Sequence, residues 1–83
     1  MTEKLFAINI LNRLIEIPIN EVYGEEITTR RVKNHILGLF QNINYNEIDL
    51  YIETHNNIES ELDDNEILDE KNEINCYIET DYS

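Results

Sequence analysis

Eighty-three residues carrying a formal net charge of −12 and a single cysteine leave room for one domain at most, and for no internal disulfide. No stretch approaches the roughly 20 apolar residues of a membrane span. The opening residues lack the basic start, apolar run and small-residue cleavage site of a secretory leader, so a soluble cytoplasmic protein is expected.

Thr2 can cap a helix, with Glu3 in its first turn where the helix dipole favours an anion. Asn9, Asn12, Arg13 and Glu16 then recur at helical spacing opposite a wide stripe of Leu5, Ile8, Leu11 and Ile15. This predicts a helix over 3–16, stopped near Ile17 because the residue before Pro18 is pushed out of helical geometry. The β-branched richness of Ile8, Ile10, Ile15, Ile17 and Ile19 keeps a strand at 14–19 open as the alternative, and a strand at 17–23 would widen the sheet. After a connection punctuated by Pro18 and Gly24, Thr28 or Thr29 caps a second helix. Its stripe is Val32, Ile36, Leu39, Phe40 and Ile43, and Gly38 inside it suggests a close approach to a neighbouring element. Arg30, Arg31 and Lys33 stand at the positive end of that helix dipole. Pairing with Glu25, Glu26 or the acidic half is the plainer reading of these three, and a phosphate-binding patch is the other.

The chain then writes one pattern twice. Asn46-Glu47-Ile48-Asp49-Leu50-Tyr51-Ile52-Glu53-Thr54-His55 returns 26 residues later as Asn72-Glu73-Ile74-Asn75-Cys76-Tyr77-Ile78-Glu79-Thr80-Asp81, identical at seven of ten positions. Both copies alternate with period two, so each reads as a half-buried strand. Ile48, Leu50 and Ile52, like Ile74, Cys76 and Ile78, fall on the apolar face, which makes Cys76 a buried structural cysteine. Duplication and shared composition both account for the likeness, since Ile, Asn and Glu supply nearly half the chain. Asn56-Asn57 reads as a turn. Residues 58–71, anchored by Ile58, Leu62, Ile67 and Leu68 among many acids, suggest one or two helical turns or disorder. The expected fold is α+β: two N-terminal helices packed on a small antiparallel two- to three-stranded sheet with an acidic exposed face.

Charge divides the single domain (1–83) unevenly. Residues 1–43 hold five acids and five bases, whereas residues 44–83 hold thirteen acids against Lys71 alone, so the whole net charge of −12 belongs to the half with the repeats. Such a half repels nucleic acid and anionic lipid and attracts basic protein surfaces.

Known chemistries find no foothold. Gly24 and Gly38 cannot build a phosphate loop, and His35, His55 and Cys76 lack zinc-ligand spacing. The run from Asp63 to Glu70 matches a calcium loop only in charge, and Ser60 and Ser83 sit in no nucleophile context. No cofactor, metal or enzymatic activity is expected. What remains is surface: Asp49, Tyr51, Glu53, Tyr77, Glu79 and Asp81 on the repeat strands, with Glu59, Glu61, Asp63, Asp64 and Glu66 extending the field. Spaced carboxylates can replace phosphates in an Arg/Lys-lined groove, and tyrosine adds rigid contact area with a polar tip.

In size, charge and carboxylate-rich strands, the C-terminal half resembles the small acidic phage-encoded inhibitors that mimic DNA, the anti-CRISPR and anti-restriction proteins. The likeness implies a protein that blocks the basic nucleic-acid-binding surface of a nuclease or defence effector in a bacterial host cell, without contacting nucleic acid or membrane. Tyr23-Gly24-Glu25 ahead of the helix at 29–42 is similar to barstar-like ribonuclease inhibitors, which implies an antitoxin or immunity partner of a basic nuclease. A structural or assembly subunit, homodimeric through its apolar face or strand edges, is the third reading.

Overall fold

The computed structural model describes residues 2–22 and 25–79. In its first quarter, side-chain alternation wins over the helical stripe. β1 (Thr2–Ile10) and β2 (Arg13–Glu21) form an antiparallel hairpin that buries Phe6, Ile8, Ile10, Ile17 and Ile19 on one side. Leu11 (φ 51°) and Asn12 (φ 63°) both take left-handed backbone, the pattern of a two-residue type I′ turn. The expected helix over 3–16 is therefore corrected to a hairpin, and the two-helix architecture to one helix on five strands. The reason lies in which apolar residues matter. The helical stripe joined Leu5 and Leu11, both exposed, to Ile8, whereas Phe6, Ile8 and Ile10 share a face only at period two, where isoleucine also fits best.

Pro18 does not end an element; it sits inside β2 opposite Leu5. Counting outward from the two-residue turn, this pair is one of the non-hydrogen-bonded ones, so the missing amide faces the free edge, where proline is tolerated.

The one helix, α1, runs from Thr29 to Leu39, shorter than the expected 29–42 because Phe40 is extended. Thr28 is the cap: its hydroxyl accepts from the Arg31 amide at 3.4 Å. The amides of Thr29 and Arg30 donate to the carbonyls of Glu66 (2.8 Å) and Asp64 (3.0 Å), so the acidic segment satisfies the helix's open first turn. Gly38 meets nothing within 4 Å of an added Cβ and is exposed, so it serves no close packing.

A 3-10 turn at Tyr45–Glu47 leads into β3 (Ile48–Glu53), followed by β4 (Glu59–Glu61) and β5 (Ile74–Ile78). The strand order is β2-β1-β5-β3-β4, antiparallel except for β1 beside β5, which makes the sheet mixed. The two repeat strands are thus neighbours and antiparallel, although shorter than the ten-residue copies. Asn57 takes φ 57° in the turn between β3 and β4.

Residues 58–71 form no helix. They supply β4 and then a stretch that runs beneath the helix start, where Leu62 and Leu68 are buried and the Leu68 amide donates to the Ile27 carbonyl at 2.9 Å. Ile58 and Ile67, read as anchors, are exposed. Val32 and Ile36 of α1 join Ile48, Leu50, Ile74 and Cys76 in one core on a single face of the sheet. The opposite face is covered by no described element.

Candidate functional site

The open face collects the side chains that the buried pattern leaves over. On β3 these are Asp49, Tyr51 and Glu53; on β5, Asn75 and Tyr77, with Glu79 just beyond; on β4, Glu59 and Glu61. Neighbouring strands place these groups roughly 5 Å apart, and residues i and i+2 along one strand roughly 7 Å apart.

Two tyrosines form the centre. Tyr51 lies opposite Asn75 and Tyr77 opposite Asp49, so the rings are diagonal neighbours. They meet edge to face, with centroids 5.3 Å apart and planes at 81°. The Tyr77 hydroxyl donates to Glu59 Oε1 at 2.6 Å, and Asn75 Nδ2 donates to the same oxygen at 2.7 Å. Glu59 is therefore held in place although exposed. Its hydrogen bond is also the main cause that raises the Tyr77 pKa above the ordinary 10.0, while the nearby charge of Glu61 leads in raising that of Tyr51. Both hydroxyls stay protonated and able to donate at neutral pH.

No lysine or arginine occupies a strand position of this face among the described residues. Lys71 lies at its rim, lining a depression with Glu53, His55 and Glu73. The ion pairs found among the described residues lie elsewhere: Lys4 with Glu21 at 3.5 Å, and Lys33 with Asp64 at 2.9 Å. Carboxylates without ion-pair partners give a local negative field, and an approaching cation has no existing pair to displace there.

Of the sequence-derived site residues, the structure brings together Asp49, Tyr51, Glu53, Glu59, Glu61, Tyr77 and Glu79. Asp64 turns to the helix side, where it is tied to Lys33, and the main-chain carbonyl of Glu66 accepts from the Thr29 hydroxyl, while Asp63, just past β4, lines a depression with Glu61, Asp64 and Lys33. Asp64 by its carboxylate and Glu66 by its backbone thus contribute to holding α1. Asp81, like Tyr23 and Gly24, lies outside the described residues. Two of the three cations at the start of α1 are engaged: Lys33 is buried and paired, and the Arg31 guanidinium donates to the Asn20 carbonyl, while Arg30 is exposed.

Two features of this face were missed by the helical reading of residues 3–16. Asn9 Nδ2 donates to Asn75 Oδ1 at 3.1 Å, bridging β1 to β5 on the open side. Beside Asn9, on β2, stands Leu14, 67% exposed. Pairing continues without a break through Leu14, Asn9, Asn75, Tyr51 and Glu61, one residue from each strand. This row grades from apolar through amide and aromatic to acidic over roughly 19 Å, four strand spacings. Reading 2–10 and 13–21 at period two would have put Asn9 and Leu14 on the outer side of two strands; the row across five strands follows from the strand order.

No protein-family model, curated protein or solved structure matches this chain. Among the described residues, no helix is long and apolar enough to cross a membrane, and no three His, Cys, Asp or Glu side chains group as metal ligands.

Proposed function

We propose that this chain is a non-enzymatic protein-binding inhibitor acting in the bacterial cytoplasm, whose open sheet face occupies a basic nucleic-acid-binding site on a partner protein in place of phosphates. One observation carries the reading. Asp49, Glu53, Glu59, Glu61 and Glu79 surround the edge-to-face pair of Tyr51 and Tyr77 on a face that no described element covers and no strand cation neutralises. Anions spaced along a sheet suit the Arg and Lys side chains of a phosphate-binding groove, where they would stand in for nucleic-acid phosphates. The tyrosines supply rigid contact area with little ordering cost.

Strand addition is the poorer route. Pro18 removes a donor from the free edge of β2, and β4 is only three residues long with Glu59 and Glu61 at its ends. The face, not an edge, is what supports this reading.

Pull-down from bacterial lysate, with and without nuclease treatment, tests it. The expected outcome is capture of a basic nucleic-acid-binding protein that salt releases and DNA or RNA displaces. Reversing Glu53 and Glu59 to lysine should weaken that capture at least about tenfold, because each reversal replaces attraction by repulsion at close range. A partner whose binding survives added salt and both reversals would overturn the reading.

A further inference from the structure

The hairpin tip poses a separate question. Leu11 occupies a left-handed turn position, φ 51°, that asparagine, aspartate or glycine fills at lower cost. It is also 70% exposed, so it repays that strain with no burial in the core. Leu14, three residues on, is 67% exposed on the open face. A strained backbone carrying an exposed apolar side chain contributes nothing visible to the isolated fold.

The tip is continuous with the acidic face. Asn12 of the turn lines a shallow groove with Asn9, Asn75 and Tyr77, and Leu14 begins the row that ends at Glu61. We infer that Leu11 and Leu14 are the apolar anchor of the interface: the partner is a basic protein surface with an apolar pocket beside its cations, the pocket taking the hairpin tip while the cations meet β3, β4 and β5. The inference rests on the charge reading above and adds the chemistry of the partner's second zone.

Charge complementarity selects that occupant. A second copy placed on the same face would bring two chains of net charge −12 together with their uncompensated carboxylates opposed. A wholly apolar partner would leave the acidic part of the row buried and unpaired, which is costly. A basic partner with an apolar pocket satisfies both ends of the row.

The test uses the full chain and two synthetic peptides of equal length and equal positive charge. One is built of Arg, Lys, Gly and Ser; the other replaces Gly and Ser at one end with three leucines. Fluorescence anisotropy is expected to give at least tenfold tighter binding of the leucine-bearing peptide. The double variant Leu11→Asn/Leu14→Thr should lose that preference while binding the leucine-free peptide as before. Both substitutions suit their backbone, and matched circular dichroism melts would verify the fold. The variant Glu53→Gln/Glu59→Gln should weaken both peptides.

Equal affinity for the two peptides, or a preference unchanged in the leucine variant, would overturn the anchor and leave the charge reading standing. Binding of neither peptide would overturn the charge reading and the anchor with it. A concentration-dependent dimer in sedimentation, dissolved by the leucine variant, would assign the tip to a second copy and overturn the inference as well.

Discussion

Leu50 and Cys76 face each other across β3 and β5, and each holds the fifth place in its copy of the ten-residue repeat. Pairing is therefore symmetric about them: Ile48 meets Ile78, Ile52 meets Ile74, and the repeat-related Tyr51 and Tyr77 become diagonal neighbours. A local twofold runs through the sheet between the two residues. On the inner side it stacks the apolar positions of both copies into the core; on the outer side it brings the tyrosines into contact.

At that axis Cys76 is 5% exposed, and burial pushes its thiol up from 9.0 to about 11. The native protein should resist Ellman's reagent at pH 8 and react promptly in urea. Because the folded thiol keeps its proton to higher pH than the unfolded one, the folded state binds more protons between about 9 and about 11. Its stabilising contribution is complete below pH 9 and is lost as pH rises through 11. Urea titrations of wild type and Cys76→Ala at pH 7.5 and 10.5 should show a smaller alkaline loss in the variant.

Lys33 and Asp64 tie the helix to the acidic segment. Lys33 is 9% exposed, its ammonium lies 2.9 Å from Asp64 Oδ1 and 5.4 Å from the Tyr45 ring centre. Asp64→Asn should cost about 1–2 kcal/mol at pH 7, below the range for fully buried pairs because Asp64 is about a third exposed. The hydrogen bond from Lys33 holds the Asp64 carboxyl below its usual 3.8. Its contribution is thus present above pH 4 and lost as pH falls through the lowered value. The stability gap between wild type and variant should narrow below pH 4, as urea midpoints will show.

Gly38 lies in α1 with open space where a Cβ would stand. Gly38→Ala should therefore gain about 0.5–1 kcal/mol, since alanine reduces unfolded-state freedom and meets nothing in the fold. A Tm increase of about 2–8 °C in a calorimetric scan is the expected reading. An unchanged or lower Tm would mean that the helix is constrained there by more than its own backbone.

Leu11→Asn should likewise stabilise the isolated chain, by about 0.5–1 kcal/mol, because asparagine tolerates the left-handed region that leucine resists. A variant more stable alone yet weaker toward the leucine-bearing peptide would separate the two roles of this position.

The order of residues by itself determined the two repeat strands, their inward Ile48, Leu50, Ile74 and Cys76, the helix behind a cap at Thr28 or Thr29, and the separation of charge between the halves. These signals are local: one period, one cap and one count each. Only the tertiary structure decided what became of residues 2–21, because Leu5, Ile8, Leu11 and Ile15 satisfy a helical stripe as well as Phe6, Ile8 and Ile10 satisfy a strand. The choice between them depends on whether a sheet is present to receive the strand, and here β5 pairs with β1 in parallel through residues more than sixty positions away. The same long-range pairing sets Leu14, Asn9, Asn75, Tyr51 and Glu61 in one row, and the tertiary fold turns Asp64 to Lys33 of the helix. A side chain's spacing along the chain fixes its neighbours on one strand; the order of strands fixes all the others.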